Sequence, residues 1–350
     1  MQDDNGTAGW DAINEALALV HPQQEPRHFG AALPWTLGGN DPLDGISVYW
    51  SEHGRPHWHY VTYGLSELFG KQSDDPALSG FGFELTFRLA AGDAASAADT
   101  PPSWPLNLLQ NIARYVFQTG NAFEAGHHLD ANGPIALDHA TQLRYLAFVL
   151  DPQLAPRDTR NGRLQFLQLV GLTGDEVEAI KRWSTQGVLD VLEPRMPAWI
   201  TDLERGSLLD DPALAAAVEQ GSLRDGSSTG MLLLETLQWR VEDAATTLVL
   251  GAGQVPAMCE LLALRLRHGR SLVLADGARQ WEFLPGPQQS LQGDADSARF
   301  TLDPAGLEAL LAAIQPRRGR YAVAGSGLLT IEVVPTQLRD AKGDVLREIG

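Results

Sequence analysis

The sequence predicts an α/β protein, of the α+β kind, with two lobes that each consist of a mixed β-sheet packed by helices. The chain of 350 residues is longer than one hydrophobic core usually organises, and its apolar content of 44% can fill two cores. Strand-like and helix-like patterns occur in both halves, and a small, polar, glycine-containing stretch separates them. We therefore predict a larger N-terminal domain at 1–223, a linker at 224–230 and a smaller C-terminal α/β lobe at 231–350.

The first lobe begins with an amphipathic helix followed by two strands. Trp10, Ile13 and Leu17 recur at helical spacing, and two prolines after them end the helix. A glycine-rich turn then leads into apolar segments at 46–50 and 57–63, which we predict to be strands.

The segment 81–89 is the clearest strand in the sequence. Its apolar and mostly polar residues alternate with a period of two, which predicts one apolar face and one mostly polar face. The apolar positions are Phe81, Phe83, Leu85, Phe87 and Leu89, and between them lie Gly82, Glu84, Thr86 and Arg88.

A second helix is predicted after the proline-rich segment that follows this strand. Ser103 is suited to the start of the helix, and Leu109, Ile112 and Val116 form its buried stripe. Gly120 is suited to its C-terminal end.

Short apolar runs between turn residues predict the remaining elements. A capping box at 173–176 opens a third helix. The other expected elements are strands at 142–150, 163–170, 271–275, 281–284 and 328–334, a helix at 256–266 and a helix that starts at 303–304.

Composition excludes several classes of ligand and compartment. The formal net charge of −18 repels phosphate backbones and anionic lipid head groups, so we expect neither nucleic acid nor a membrane as partner, and a basic polypeptide is favoured. A single cysteine, Cys259, permits no intrachain disulfide. The start of the chain lacks the pattern of a signal peptide, and no apolar run approaches membrane length. We expect a cytoplasmic protein.

Two histidines form the most metal-like pattern in the sequence. His57 and His59 lie at i and i+2 of a predicted strand and so share a side, where a carboxylate such as Glu84 or the pair His127-His128 could complete a ligand set. A metal-dependent enzyme that uses His57, His59 and a carboxylate is therefore the alternative hypothesis. Two histidines at i and i+2 also recur by chance, and no third ligand lies at a diagnostic spacing, so we favour the interpretation of both as structural histidines.

No other catalytic or cofactor pattern is complete. There is no Gly-x-Ser-x-Gly elbow, and Cys259 lies in an apolar helical run, which is typical of a packed thiol. Gly251-Ala252-Gly253 lacks the third glycine of a dinucleotide loop. We expect no catalysis and no cofactor.

Tyr115 and Asp151 each allow two interpretations from the residues alone. Tyr115 falls on the flank of its helix, where its hydroxyl could reach a surface groove or merely lie at the boundary of the core. Asp151 precedes a proline, so it is either a functional acid or the start of a turn.

Several blocks in sequence order carry a resemblance to the Suppressor of fused family, and this resemblance covers most of the chain. In the second half it thins to Arg267-His268-Gly269-Arg270 and the elements beside it. The first-half blocks are 37–44 (LGGNDPLD), 57–60 with 64–68 (HWHY and GLSEL), 79–89 (SGFGFELTFRL), Trp104-Pro105 and 113–118 (ARYVFQ).

The resemblance implies a two-lobed, non-catalytic protein-binding module. Animal members of the family clamp a short Ser-Tyr-Gly-His-Leu peptide of Gli transcription factors as a strand between the lobes. Bacterial members, which this chain resembles, are similar to immunity proteins that neutralise toxins. We therefore expect the chain to sequester an extended segment of a polypeptide partner, such as a toxin, in a cleft between two lobes.

The resemblance also implies the partner-binding residues. Tyr115 falls on the tyrosine of the animal groove, and Asp151 falls on an acid near it. His127 stands where animal members have an acid that pairs with the peptide, and a histidine cannot replace that anionic acceptor. Arg267 and His268 belong to the matching block of the second lobe and complete the predicted set.

Overall fold

The chain divides into two compact units in a computed structural model, which describes residues 6–31, 38–39, 41–92, 95–242, 245–325, 327–339 and 344–350. The first unit consists of residues up to Val177 together with Val188–Ala215, and the second consists of Glu178–Gly187 and Ala216–Gly350. Both units combine β-sheets with helices, which confirms the predicted fold class. Leu37 and Asn40 of the 37–44 block lie outside the described residues.

One mixed sheet organises the first unit. Its strands follow the order β1-β2-β3-β4-β8-β6-β5, with β7 paired to β8, and β4 and β8 are parallel while the other pairs are antiparallel. The predicted strands at 46–50, 57–63, 81–89 and 163–170 are confirmed, and the strand expected from residue 142 begins at Tyr145. The bounds are β1 (Arg27–Gly30), β2 (Gly45–Ser51), β3 (His57–Tyr63), β4 (Leu78–Ala90), β5 (His128–Asp130), β6 (Tyr145–Leu150), β7 (Arg157–Thr159) and β8 (Gly162–Leu172).

Two helices cover opposite faces of this sheet. Helix α1 (Ala8–Val20) packs in one apolar cluster with Val61, whereas α2 (Trp104–Thr119) packs in another with Tyr60. Because successive residues of a strand point to opposite faces, α1 and α2 lie on different sides of β3. The predicted stripes are buried, with Ile13 and Leu17 on α1 and Leu109, Ile112 and Val116 on α2.

The mostly polar face of β4 is buried as completely as its apolar face. Glu84, Thr86 and Arg88 are all 0% exposed. Since buried polar groups require partners, this face carries a network of hydrogen bonds inside the protein.

Glu84 holds the turn that follows β3. Its carboxylate accepts hydrogen bonds from Thr62 Oγ1 at 2.6 Å, from the backbone N–H groups of Gly64 and Ser66 at 2.9 Å each, and from Ser66 Oγ at 2.6 Å. Burial nevertheless raises the pKa of Glu84 to about 7. These contacts give Glu84 a structural role.

The other elements follow in chain order, and the unit boundaries fall within α3, α4 and α5. As the capping box predicts, Thr173 N–H donates to Glu176 Oε2 at 3.0 Å where α3 begins. The helices are α3 (Gly174–Arg182), α4 (Thr185–Leu192), α5 (Pro212–Asp225), α6 (Val255–Leu266) and α7 (Pro304–Ala313). The strands are β9 (Met231–Leu233), β10 (Leu237–Glu242), β11 (Ala245–Gly251), β12 (Leu272–Ala275), β13 (Gln280–Pro285), β14 (Ser290–Gly293), β15 (Ser297–Leu302), β16 (Gly319–Ala322), β17 (Leu329–Val334), β18 (Thr336–Arg339) and β19 (Val345–Ile349).

Two larger sheets and a two-stranded ribbon build the second unit. Their strand orders are β10-β11-β17-β16, β14-β15-β13-β12-β9 and β18-β19. One apolar cluster joins the two larger sheets with α6 and α7, and Trp281, Phe283 and Phe300 are fully buried in it.

The stretch predicted as a linker, 224–230, lies within the second unit. Ser227 is buried, and its hydroxyl donates to the Lys181 carbonyl at 2.6 Å, while Ser228 N–H donates to the Trp183 carbonyl at 2.6 Å. Hydrogen bonds therefore tie these small residues into the fold. Within the described part of the chain, no helix is long and apolar enough to cross a membrane.

Candidate functional site

Tyr115 lies on the open side of α2, next to the buried Val116. Its residue surface is 44% exposed, and its hydroxyl accepts a hydrogen bond from Asn121 Nδ2 at 3.3 Å. Gly120 ends the helix in the left-handed conformation at φ +72°, so the chain turns back and carries Asn121 past the tyrosine. The sequence interpretation of Tyr115 as a residue that reaches the surface agrees with this position.

Phe123 connects Tyr115 with His127. The Phe123 ring stacks on the buried ring of Phe148 in β6, with centroids 4.1 Å apart and planes within 12°. The Tyr115 ring lies 5.7 Å from Phe123 on centroids, and the His127 ring lies 6.4 Å away. We call these four residues the aromatic cluster. It brings together two of the predicted site residues.

Sequence analysis did not single out Phe123. It is a lone aromatic residue between the Gly120 helix end and the polar residues around His127. Single aromatic residues in short polar connections are common, so the sequence carries no signal that distinguishes Phe123.

The exposed His127 presents a hydrogen-bond donor. Its Nδ1 accepts from the Glu124 backbone N–H at 3.2 Å, so the neutral ring carries its proton on Nε2. Its carbonyl accepts from Phe148 N–H at 2.9 Å, which fixes the residue at the start of β5. The side chain can therefore donate a hydrogen bond to a carbonyl group.

The aromatic cluster borders the terminal strand of the sheet. β5 pairs with β6 through Leu129 opposite Leu146, and it stands last in the strand order of the first unit. Leu150 at the end of β6 is 49% exposed. A strand at the edge of a sheet is the element to which an extended peptide can add.

Asp151 lies inside the protein. Its carboxylate forms an ion pair with the Arg88 guanidinium, at 2.7 Å from Nη1 and 3.0 Å from Nη2, and both side chains are 0% exposed. Thr86 Oγ1 donates to it at 2.7 Å, and the backbone N–H groups of Gln153 and Leu154 donate at 2.9 and 3.0 Å. Asp151 thus fixes the end of β6 from within, and its carboxylate does not face the aromatic cluster at the surface.

The ion pair extends through two histidines. His59 Nε2 lies 3.5 Å from Asp151 Oδ2, and His59 Nδ1 lies 3.0 Å from His21 Nε2. Gln168 Oε1 also accepts from Arg88, so we call Arg88, Asp151, Gln168, His59 and His21 the Arg88 network.

Protonation in the Arg88 network follows from burial and from its single cation. Burial by itself would raise the pKa of Asp151, but the Arg88 charge and the hydrogen bonds hold that pKa well below its usual range. Burial, reinforced by the Arg88 charge, lowers the pKa of His59 to about 3 and that of His21 to about 4. The network at neutral pH is therefore one ion pair with neutral imidazoles.

The alternative hypothesis of a metal-dependent enzyme requires a third ligand beside His57 and His59, and the described residues do not supply one. His57 Nδ1 donates to the Arg55 carbonyl at 2.8 Å, and burial lowers the pKa of His57 to about 4. Glu84 is engaged at its own turn, and no three His, Cys, Asp or Glu residues in the described ranges are grouped as metal ligands. Internal contacts account for the positions of His57 and His59.

Arg267 and His268 follow α6 in the second unit. Arg267 donates to both carboxylate oxygens of Glu308, at 2.9 and 2.8 Å, and its side chain is half exposed. His268 N–H donates to the Arg265 carbonyl at 3.0 Å in the turn that Gly269 closes. These two residues belong to a different unit from Tyr115 and His127.

Comparison with known proteins identifies the family. The family model for Suppressor of fused protein matches residues 39–206. The human and mouse Suppressor of fused homologs are each 38% identical to this chain over 241 residues, which cover 63% of it. The chain belongs to the Suppressor of fused family. It spans about half the length of these relatives, since the match covers 48% of each.

Solved Suppressor of fused structures share the fold. The crystal structure of Drosophila Suppressor of fused matches with a TM-score of 0.82 over 94% of this chain and 97% of that chain, at 23% identity. The Sufu–Fu complex crystal structure matches with a TM-score of 0.57 and 35% identity, over 61% of this chain and 98% of the matched chain. That relative was therefore solved in complex with Fu.

The aromatic cluster lies within the part of the chain that the Suppressor of fused model matches, 39–206. Arg267 and His268 lie beyond that range. The family match thus includes Tyr115, His127 and Asp151, and it leaves the predicted second-lobe residues without support of this kind.

Proposed function

We propose that this chain is a non-catalytic protein-binding module that holds an extended segment of another polypeptide against the aromatic cluster and β5. The observation that carries the proposal is the meeting of Tyr115 and His127 around Phe123, at the surface and beside the terminal strand of the sheet. A partner strand on β5 would gain backbone hydrogen bonds, and the rings would select its side chains.

The geometry favours particular contacts with the partner. Tyr115 offers an aromatic ring and a hydroxyl that accepts from Asn121, and His127 offers an Nε2–H donor. Tyrosine is enriched at the centres of protein interfaces because a large ring contributes area with little entropy loss. Asp151 would act indirectly, by holding the end of β6 through Arg88.

Charge and relatives point to a polypeptide partner with basic character. The net charge of −18 steers cationic proteins towards the chain and repels nucleic acids. The Sufu–Fu complex shows a family relative bound to a protein. In the specific form of the proposal, the chain sequesters a basic toxin as an immunity protein, in a cleft between two lobes to which Arg267 and His268 contribute.

Affinity capture with matched variants tests the binding surface. The wild-type chain, Tyr115→Ala and Leu19→Ala are used as baits in a lysate of the source organism, and captured proteins are quantified by mass spectrometry. Leu19 is 77% exposed on α1, which packs on the opposite face of the sheet, so its variant controls for loss of an exposed apolar side chain.

We expect one polypeptide to be retained by the wild-type chain and by Leu19→Ala, and to be depleted about tenfold or more by Tyr115→Ala, as for a central aromatic contact. Hydrogen exchange of the complex with that polypeptide should protect β5 backbone amides at residues 128–130. Equal capture by Tyr115→Ala, or a complex that protects other segments and leaves β5 unchanged, would refute the proposed surface.

A further inference from the structure

A separate cleft opens beside the end of α1 in the first unit. It has a volume of about 390 Å³, and its lining includes Trp10, His21, Glu25, His28 and Tyr49. This volume lies within the range of small-molecule sites. The cleft is on the α1 side of the sheet, whereas the aromatic cluster packs on the α2 side, so the two sites lie on opposite faces of the sheet.

The aromatic walls of the cleft are held in place by their neighbours. Tyr49 stacks on His21 with centroids 4.4 Å apart and planes within 8°, and both residues are buried. Trp10 lies 4.6 Å from the Tyr63 ring and 5.4 Å from the His28 ring on centroids. A ligand would therefore meet preorganised rings, which reduces the entropy cost of binding.

The turn after α1 forms the rim of the cleft in an unusual conformation. Gln23, which also lines the cleft, has φ +63°, a left-handed value that is uncommon for a residue other than glycine. Strain of this kind persists only where surrounding contacts hold it, and it clusters at ligand sites. The turn carries Glu25 to the cleft.

Charge in the cleft has one sign. Burial, with the Arg88 charge as the next cause, lowers the pKa of His21 to about 4, and burial lowers the pKa of His28, so both rings are neutral at pH 7. Burial raises the pKa of Tyr49, and the neighbouring Glu25 carboxylate adds to that rise. Among the lining residues, all of which belong to the described ranges, Glu25 is the single formal charge at neutral pH.

We propose that this cleft binds a small organic cation of the alkylated-ammonium class. Aromatic faces attract a cation through their quadrupoles, and the Glu25 carboxylate adds attraction from the lining itself, while the Arg88 charge behind His21 is paired with Asp151. Alkyl groups on the nitrogen lower the cost of desolvation and contact the rings, as in aromatic cages for choline and methylated lysine. The proposal adds a ligand site to the proposed protein-binding function and does not depend on it.

Calorimetric titration with choline, and with its neutral isostere 3,3-dimethylbutan-1-ol, tests the proposal. The two molecules have the same shape and differ in the positive charge. We expect choline to bind about tenfold or more tightly than the isostere, which corresponds to the upper range of a cation–π contribution. Absence of choline binding, or equal binding of the two molecules, would overturn the proposal.

Two glutamate variants separate the local carboxylate from the general negative charge of the chain. Glu25→Gln removes the carboxylate of the cleft, whereas Glu15→Gln removes an exposed carboxylate of α1 that lies outside the lining. We expect Glu25→Gln to weaken choline binding several-fold and Glu15→Gln to leave it unchanged. Equal weakening by both variants would contradict a specific site and show diffuse attraction.

The source of the cation is distinguished by a second pair of probes. A short peptide with trimethyllysine presents the trimethylated ammonium group of choline on a polypeptide. The same peptide with unmodified lysine is the control for binding that does not depend on the methyl groups. Trimethyllysine binding about tenfold tighter than choline would assign the cleft to a modified protein, and equal or weaker binding would assign it to free small cations. Tyr115→Ala should bind choline like the wild-type chain, and loss of choline binding in that variant would count against two independent sites.

Discussion

Replacing Asp151 by Asn should destabilise the first unit strongly, although the side chain keeps its shape. Asp151 is the one carboxylate in the described residues that contacts the Arg88 guanidinium, and both side chains are 0% exposed. The remaining Arg88 acceptors, Gln168 Oε1 and Gln153 Oε1, are neutral amide oxygens. Asp151→Asn therefore leaves a buried cation without a counter-charge.

The magnitude follows from the burial of the pair. Removing one partner of a buried ion pair costs about 3–5 kcal/mol, because the other charge stays desolvated and uncompensated. The Asn oxygen can still accept from the Gln153 and Leu154 backbone N–H groups, so these hydrogen bonds contribute little to the loss. We expect the free energy of unfolding of the first unit to fall by about 3–5 kcal/mol.

Hydrogen exchange in increasing urea measures this loss in the first unit alone. Peptides from β4 and β8 report the opening of the sheet that carries Arg88 and Gln168, and the change in their opening free energy is compared between variants. Global denaturation curves of a chain with two units need not be two-state, whereas peptide-resolved exchange assigns each transition to its unit.

Two further variants make the test sharp. Arg195→Met breaks an ion pair between exposed side chains, since that of Arg195 is 58% exposed and that of Asp211 is 33% exposed. This variant should lower the free energy of unfolding by about 1 kcal/mol or less. The double variant Arg88→Met with Asp151→Asn removes both charges but keeps an oxygen that accepts from the Gln153 and Leu154 N–H groups, and it should recover much of the loss. A cost for Asp151→Asn as small as that of Arg195→Met, or no recovery in the double variant, would refute the account of the Arg88 network.

Three other predictions concern pH, helix ending and the thiol. At pH 5–6 the buried His21, His57 and His59 are neutral in the folded protein and become protonated when the chain unfolds. Glu84, whose pKa is raised to about 7 in the fold, releases about one proton on unfolding. The net uptake of about two protons makes the free energy of unfolding of the first unit fall by roughly 3 kcal/mol per pH unit on acidification, and a flat profile from urea titrations followed by peptide-resolved hydrogen exchange would contradict this. Gly120→Ala should cost about 1 kcal/mol through left-handed strain alone, whereas Gly92→Ala, also with open space around its Cβ position, should cost less in the same titration. Burial raises the pKa of Cys259 to about 11, so a disulfide reagent at pH 8 should modify it much faster in urea than in the native protein.

The binding surface shows where sequence and structure each contributed. Resemblance pointed to Tyr115 and His127 separately, but only the fold shows that Phe123 joins them, because the contact depends on the turn at Gly120 and on Phe148 from a distant strand. The resemblance places Asp151 on an acid near the groove, whereas in the fold its carboxylate is buried against Arg88, which lies 63 residues earlier in the chain. Such pairings are decided by strand order, which local patterns do not contain.

The sequence by itself determined helices α1, α2, α3, α6 and α7 and most central strands of this protein, because their periodicity and end residues are local properties of the chain. It did not indicate α4 and α5. The stripe of α2 and its ending at Gly120 are examples. Only the tertiary structure decided that the polar face of β4 is buried, that its charges are paired inside, and that Glu25 meets an aromatic cleft. The physical reason is that burial and pairing depend on which distant segments pack together, and the free energy of that packing belongs to the whole fold.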